Sequence, residues 1–265
     1  MDEVRNSEPG SSGPGLWFVI PAYKRVELSE ICFEQIQRAC TVMQGAGIST
    51  TCVVIADDAN LDIAEQLGWR TIRHSNLLGS KLNAGYQLAA EEDADYVCPL
   101  GSDSWIEPRR FFELPQFGQL LCTRNYTVVN KQATKRMQLN VGYRGGVGSR
   151  VIPIDMLKEC SYRPLEDRLM RGADTATLAT IEKSHKVEFV YSELHPMEVL
   201  SFQSDIQLNR YAQLKEAFLV KEKKSEPFDG LEEFYDLDLV ERVRDLYLPA
   251  KRRRVVKREL ALEAT

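Results

Sequence analysis

The sequence predicts an α/β fold, with a central, mostly parallel sheet flanked by helices and a helical appendage at the C-terminal end. Three short apolar runs, at residues 16–20, 51–58 and 96–100, have the length and composition of buried strands. Helical spacing of apolar residues follows the first run over 29–44 and precedes the third over 80–91. Because strands that alternate with helices build parallel sheets through crossover connections, this order favours the α/β class.

The remaining elements follow from weaker local signals. Gly15 and Pro21 bound the first strand, and Ser29 is of a residue type that caps helix N-termini. A stretch with six basic residues and several glycines, 124–150, is typical of a mobile loop or of a close backbone approach. The other predicted elements are a helix at 60–67, a strand at Arg70 to Arg73, a strand at 119–123, a short helix from Pro153, a helix at 166–182, a strand at 187–191 and helices at 206–222 and 230–248.

Composition divides the chain into three predicted parts. These are a disordered leader over 1–15, an α/β domain over 16–222, and a helical appendage with a basic tail over 223–265. The leader is acidic and rich in Gly, Ser and Pro, and it lacks the basic start and apolar centre of a signal peptide. No apolar run approaches the roughly 20 residues of a membrane span, so we expect no membrane-spanning segment.

The cysteine pattern predicts a reducing compartment. The six cysteines are scattered without a CxxC pair, and several lie within the apolar runs. Such residues are typical of reduced core thiols in a cytoplasmic protein. Only three histidines are present and none has HExxH or zinc-finger spacing, which argues against a zinc centre.

Charge is unevenly distributed along the chain. The formal net charge is −5, yet residues 251–258, KRRRVVKR, carry six positive side chains. A basic tail on an acidic body predicts an anionic partner, with nucleic acid as one candidate. The alternative is an ordinary solvated terminal segment.

Polar side chains follow the predicted strands at the ends where α/β sheets bind ligands. Tyr23, Lys24 and Arg25 follow the first strand, where an aromatic ring can stack on a base and cations can pair with phosphate. The second strand ends in Asp57 and Asp58, which can accept hydrogen bonds from a base or a ribose. Each of these groups also has an ordinary explanation as part of a strand-to-helix turn.

Two further segments extend this arrangement. Residues 95–105, DYVCPLGSDSW, deliver Asp103 to the end of the third long strand, where it either binds a ligand or caps the following turn. Residues 74–85 form a polar, glycine-containing loop that opens a helix, so backbone N–H groups and Lys81 can face an anion. The chain has no GxGxxG after a strand and no GxxxxGK[ST], which argues against NAD, SAM and P-loop nucleotide sites.

The order of these motifs resembles the inverting family 2 glycosyltransferases of the GT-A fold over roughly residues 16–200. IPAYKR is similar to the family's I-P-x-Y-N-R, VVIADDAN to V-V-D-D-G-S, and NLLGSKLNAGYQLA to N-x-G-x-x-x-A-x-N-x-G-x-x-x-A. The resemblance implies a nucleotide-sugar donor, with a UDP-sugar expected. The donor-binding residues that it implies are Pro21, Tyr23, Arg25, Asp57, Asp58, Gly79, Lys81, Asn83, Ser102 and Asp103.

PLGSDSW stands where the family carries the D-x-D motif that binds a divalent metal and the donor diphosphate. Here Gly101 replaces the first acid and only Asp103 remains. The resemblance implies Mn²⁺ or Mg²⁺ on Asp103, with His195 completing the metal shell. Basic side chains such as Lys81 and Arg144 are the alternative source of positive charge.

The acceptor side is implied by RGGVGSRVIPIDML at 144–157, which resembles the family's Gly-rich segment and places Arg144, Gly145 and Gly146 near the acceptor. In the family an E-D pair follows, and its acid is the catalytic base. Glu166 and Asp167 in RPLEDRLMRG match the local text, whereas Asp174 in RGADTATL matches the spacing and the start of a helix. We favour Asp174 and keep the other two acids as candidates.

The predicted function is therefore sugar transfer, with inversion by a single displacement, from a nucleotide sugar to an acceptor hydroxyl. Compact relatives of this kind are frequent in bacteriophages, so hydroxymethylated pyrimidines in DNA are the first acceptor to consider, and the location would then be the host cytoplasm. Arg124, Lys131, Lys135 and Arg136, together with the tail, fit a polyanionic acceptor. The alternatives are a glycan, protein or small-molecule acceptor, a nucleotidyltransferase, and an inactive binding module for nucleotide sugars or nucleic acid.

Overall fold

The computed structural model describes residues 13–75, 77–130, 136–140, 150–192, 194, 197–202, 219–223 and 227–247. The strands are β1 (Gly15–Pro21), β2 (Ser49–Ala56), β3 (Arg70–Arg73), β4 (Tyr96–Pro99), β5 (Ser104–Ile106), β6 (Gln119–Thr123), β7 (Asn125–Val129), β8 (Arg136–Asn140), β9 (Ile152–Pro153), β10 (Glu188–Ser192), β11 (Val199–Phe202) and β12 (Leu219–Lys223). The α-helices are α1 (Val26–Gly45), α2 (Asn60–Gln66), α3 (Leu78–Glu91), α4 (Ala173–Ile181) and α5 (Leu237–Tyr247). Two 3₁₀ helices span Pro108–Phe111 and Ile154–Cys160.

The central sheet has the order β3-β2-β1-β4-β9, with the first four strands parallel and β9 antiparallel to β4. A bridge between Leu121 and Val151 links this sheet to β6, which pairs in parallel with β10. The predicted α/β class, with a mostly parallel sheet flanked by helices, is confirmed.

Both faces of the central sheet are buried, which explains why β1 and β2 read as continuous apolar runs. On β1, Leu16, Phe18 and Ile20 pack with α1 on one face. Trp17 and Val19 point to the other face and pack with α3 and α4. Because successive side chains of a strand point to opposite faces of the sheet, β1 contributes to two separate hydrophobic cores.

A second sheet, with the order β12-β8-β7-β11-β5, was missed in the sequence. It includes parts of the 124–150 segment, for which a mobile loop or a close backbone approach was expected, because β7 and β8 pair there as an antiparallel ladder. The prediction of a helix over 206–222 is wrong for residues 219–222, because they belong to β12, which pairs with β8. Residues 206–218 lie outside the described residues. These strands have partners far away in the chain, so local periodicity does not reveal them.

The C-terminal segment 227–247 packs against α1 and the second sheet. Leu231, Leu239 and Val240 are fully buried in a third core, together with Trp105 of β5. The helix predicted over 230–248 is shorter than expected, since α5 is preceded by a turn-rich stretch. On the surface side, Arg38 of α1 pairs with acids at the start of α5.

Two helix starts differ from the sequence predictions. Ser29 is not the N-cap of α1, because the helix begins at Val26 and Ser29 is buried within it. The helix expected over 166–182 begins only at Ala173, after Gly172, which takes a left-handed conformation (φ 74°). Turns occupy the preceding residues, so Glu166 and Asp167 precede the helix and Asp174 lies in its first turn.

Candidate active site

The carboxyl ends of β1, β2 and β4 meet at one edge of the sheet, because β1 lies between the other two strands. The chain that leaves each strand brings a predicted site residue to this edge. The backbone N–H of Lys24, after β1, donates to Asp58 Oδ2, after β2, at 2.6 Å. Arg25 Nη1, also after β1, donates to Asp103 Oδ2, after β4, at 2.6 Å. The structure thus joins three motifs that are well separated in sequence.

The turn after β1 has an unusual backbone that neighbouring side chains hold in place. Lys24 and Arg25 both have φ of 54°, a left-handed conformation that side-chain-bearing residues rarely adopt. Such consecutive strain persists only where surrounding contacts over-determine it. The Asn60 amide donates to Lys24 O at 3.0 Å and also to the carboxylate of Asp58. Asp58 and Asn60 therefore act as a clamp that orients Arg25.

The Arg25–Asp103 ion pair is largely shielded from solvent, since the two side chains are 17% and 9% exposed. Arg25 Nη2 also lies 3.3 Å from Ser102 Oγ. Burial raises the pKa of Cys32, and the Asp103 carboxylate adds to that effect while Arg25 opposes it. The pKa of Tyr247, at the end of α5, is raised by burial and then by Asp103. The pair is therefore enclosed by apolar and aromatic side chains, where charges interact more strongly than in water.

A cationic and aromatic cluster lies beside the ion pair. The Tyr23 ring is half exposed, and the amines of Lys24 and Lys81 lie 5.0 Å and 5.7 Å from its centroid. Lys81 is buried and donates to Ala22 O at 2.8 Å. Burial lowers the pKa of Lys81, and the nearby carboxylates of Asp57 and Asp58 partly offset this shift. An exposed ring beside cations and acids is chemically suited to a nucleotide base and its phosphates.

Pro21 is the last residue of β1 and is partly buried, while Ser102 is buried directly before Asp103. The other two predicted donor-binding residues have different contacts. A Cβ on Gly79 would lie 2.1 Å from Glu166 O, so this glycine permits the 166–169 turn to approach α3. The buried Asn83 amide donates to Leu165 O at 2.8 Å and accepts from Leu165 N at 3.2 Å. Donor binding by Gly79 and Asn83 stays a prediction, and the contacts seen here are packing contacts.

The candidate bases differ in their surroundings. Burial raises the pKa of Tyr126, and the carboxylates of both Asp103 and Asp174 raise it further. These two acids therefore lie near the same buried phenol. By contrast, Glu166 pairs with Arg168 and is 73% exposed, while Asp167 pairs with Arg163 and is 57% exposed.

A buried arginine holds the first turn of α4 in place. Arg150 is buried and donates to the backbone carbonyl of Asp174 at 2.6 Å. Together with Tyr86, Arg150 and Asp174 line a cavity of about 10 Å³ between α3 and α4. A carboxylate in the first turn of a helix is also stabilised by the helix dipole. The backbone of Asp174 is thus anchored, and its carboxylate raises the pKa of Tyr126, as that of Asp103 does.

Comparison with solved structures identifies the fold. TarS of S. aureus (residues 1–349) in complex with UDP-GlcNAc superposes with a TM-score of 0.53 at 11% identity, covering 78% of this chain and 62% of that one. The same protein in complex with UDP gives a TM-score of 0.51 at 12% identity, covering 72% and 61%. The chain has the GT-A fold. It spans less than two thirds of the length of these TarS structures.

A Drosophila β-1,4-galactosyltransferase 7 mutant in complex with manganese, UDP-Gal and xylobiose has a TM-score of 0.49 at 12% identity, covering 83% of this chain and 79% of that one. No protein-family model and no curated protein sequence matches the chain. None of the helices described here has the length and hydropathy needed to cross a membrane.

Within this GT-A fold, several predicted residues lie outside the part of the chain that the structure describes. They are Lys131, Lys135, Arg144, Gly145, Gly146, His195 and the basic tail at 251–258. Among the described residues, no group of three or more His, Cys, Asp or Glu side chains is placed to hold a metal ion. Asp103, the acid expected to bind the metal, is ion-paired with Arg25 instead. In the part of the chain that the structure describes, Asp103 with its arginine partner does not make up a donor set for a divalent metal.

Two residues of the candidate site were missed in the sequence. Asn60 belongs to the clamp on the β1 turn, and its signal is the Asp58-x-Asn60 spacing just before a helix, where such side chains bond to backbone groups. Tyr126 lies near Asp103 and Asp174 but belongs to β7, in the segment for which a mobile loop or a close backbone approach was expected. No local pattern indicates its position, because β7 is defined by its partners β8 and β11.

Proposed function

We propose that the chain transfers a sugar from a nucleoside-diphosphate sugar, with UDP as the expected nucleotide, to an acceptor hydroxyl. The observation that carries the proposal is the convergence of Tyr23, Lys81, Asp57 and the Arg25–Asp103 pair at the carboxyl edge of the parallel strands. The TarS structures of the same fold contain UDP or UDP-GlcNAc, which supports the choice of nucleotide. The six free thiols are compatible with the proposed cytoplasmic location.

The proposed chemistry is a single displacement at the anomeric carbon. The acceptor oxygen forms the new bond while the bond from carbon to the diphosphate oxygen breaks, and the nucleoside diphosphate leaves with the bonding electrons. Asp174 takes the proton of the acceptor hydroxyl as general base. Cationic groups at the edge of the sheet stabilise the charge that develops on the leaving diphosphate. One displacement inverts the configuration of the sugar.

For the acceptor, we propose a hydroxymethylated pyrimidine in DNA, with glycan, protein and small-molecule hydroxyls as the alternatives. The support is the basic segment 251–258 and the exposed Arg124, which stacks over Tyr191 at 4.7 Å. One expected contact is corrected by the structure: Arg136 is buried and donates to Asp229 O at 2.9 Å, so it does not face an acceptor.

The proposal is tested by incubating the protein with a panel of UDP-sugars and measuring UDP release by coupled assay and product analysis. We expect slow hydrolysis of one donor without an acceptor and faster release with one. Asp103→Asn should abolish release, because the uncompensated Arg25 would lose its orientation in the site. Asp62→Asn, on the exposed side of α2, is the matched control and should retain full turnover.

Other products would point to the rival functions. Pyrophosphate formed from a nucleoside triphosphate and a sugar phosphate would indicate a nucleotidyltransferase. Binding of a UDP-sugar with no UDP release under any condition would indicate an inactive binding module. Full activity of Asp103→Asn would remove the proposed donor site from consideration.

A further inference from the structure

We infer that the guanidinium of Arg25 binds the diphosphate of the donor. It supplies the positive charge that a divalent metal would otherwise provide at this site. The inference rests on the proposed function and deepens it, because it states how the donor site carries positive charge. Its starting point is that the single acid Asp103 already has a cationic partner at 2.6 Å.

Gly101 allows the Asp103 carboxylate to lie close against the loop that precedes it. A Cβ at Gly101 would lie 2.5 Å from Asp103 Oδ1, a distance that real Cβ contacts essentially never show, and 3.0 Å from Ser104 Oγ. A side chain at position 101 would therefore require the Asp103 carboxylate to shift from the position in which it pairs with Arg25. The glycine is thus compatible with the ion pair in its observed geometry.

A divalent metal bound by two carboxylates and an arginine bound by one carboxylate have the same net formal charge. A dication held by two carboxylates has no net formal charge, and neither has one guanidinium held by one carboxylate. Binding a dication to Asp103 would instead place it beside Arg25, whose side chain is only 17% exposed. Repulsion between like charges is strong in such a shielded environment.

Arg25 retains donors for a phosphate. A guanidinium has five N–H groups in a planar fork that matches phosphate oxygens. Nη1 bonds to Asp103 and Nη2 has a long contact with Ser102, so each of these two nitrogens keeps a second N–H, whereas Nε is buried. The amine of Lys81 is less suited to this role, because it is buried and bonded to Ala22 O.

The orientation of Arg25 is specified by the fold. Its left-handed backbone, like that of Lys24, is a conformation that residues with a side chain adopt only at a cost. The clamp formed by Asp58 and Asn60 stabilises this conformation through the backbone of Lys24. A fixed guanidinium loses little further entropy when it binds an anion, so it is prepared for a diphosphate.

The test is calorimetric titration of the full chain with UDP, in EDTA and in MnCl₂. We expect the same affinity under both conditions. In EDTA, Arg25→Met should weaken UDP binding about 10-fold or more, as expected for lost hydrogen bonds between charged groups. Arg25→Lys should retain part of the affinity, because the charge is kept while the fork is lost.

Arg70→Met is the matched control, since Arg70 forms an ion pair with Glu92 at the same distance of 2.6 Å but stands at the amino end of β3, away from the carboxyl edge of the sheet. It should bind UDP like the wild type. UDP binding that requires Mn²⁺ in the wild type would overturn the inference and leave the proposed function standing. No UDP binding under either condition would overturn both. The wild-type comparison needs no variant, so poor folding of Arg25→Met does not remove the test.

Discussion

Asp174 and Asp167 are close in the chain but stand in different chemical surroundings. Asp167 is on the surface, and its carboxylate is shared by Arg163 and Asn83. Asp174 lies in the first turn of α4. Its carboxylate raises the pKa of Tyr126, as the carboxylate of Asp103 does. A carboxylate that accepts an acceptor proton has to lie near the reacting carbon, which favours Asp174 at the scale of single residues.

We expect Asp174→Asn to lower kcat by about 10²–10⁴-fold, the usual contribution of a general base. The Kd for UDP should hardly change, because the base acts on the acceptor in the transition state. Single-turnover kinetics with a UDP-sugar, together with UDP titration, separate the two effects. Asp167→Asn is the control and should keep most of the turnover. If Asp167→Asn or Glu166→Gln shows the loss instead, the base has been assigned to the wrong acid.

At the scale of elements, α5 is the helix whose role changes most between sequence and structure. Its charged residues suggested a peripheral amphipathic helix, yet one face is fully buried against α1 and the second sheet. Its last residue, Tyr247, lies near the Arg25–Asp103 pair. The helix thus covers a core and also lines the back of the candidate site.

Two leucines of α5 allow a matched comparison. Leu239 is fully buried, so Leu239→Ala should lower the free energy of unfolding by about 2–5 kcal/mol through lost burial and the cavity left behind. Leu237, in the same helix, is 57% exposed, and Leu237→Ala should change it by less than about 0.5 kcal/mol. Urea denaturation followed by circular dichroism measures both. Equal effects would mean that α5 does not share the core of the domain.

At the scale of the whole molecule, the uneven distribution of charge bears on the proposed DNA acceptor. The chain has a net charge of −5 despite six positive residues at 251–258, so its body repels DNA outside a local basic surface. DNA binding therefore has to depend on a few phosphate contacts. Each such contact releases counterions and makes binding depend on salt.

If DNA is the acceptor, binding to duplex should weaken with salt, with a log–log slope of about −0.9 for each phosphate contact. Deleting residues 248–265 should weaken binding and flatten this slope. Hydrolysis of the UDP-sugar should persist, because the strand ends that build the donor site are intact. Gel-shift titrations of plain and hydroxymethylated duplexes at two salt concentrations measure this. Absence of binding to either duplex at low salt would leave a glycan, protein or small-molecule acceptor.

The sequence by itself determined the central sheet and the order of its motifs. β1, β2 and β4 are short apolar runs with polar ends, and this signal is local because burial on both faces demands apolar residues throughout. The positions of Asp57, Asp58 and Asp103 after their strands could be read in the same way. The resemblance to GT-A glycosyltransferases rested on these segments, and the fold it implied is confirmed.

Only the tertiary structure decided which of these groups act on one another. The second sheet pairs short strands such as β5, which bonds to β11 far along the chain, and three residues carry too little periodicity to be recognised. Arg25 and Asp103 are 78 residues apart, and nothing local to either indicates an ion pair. Asn83 belongs to a motif, but its amide partners come from Leu165 and Asp167. The burial of an apolar strand can be predicted from residues that are neighbours in the sequence. Pairing between distant side chains depends on how the whole chain packs.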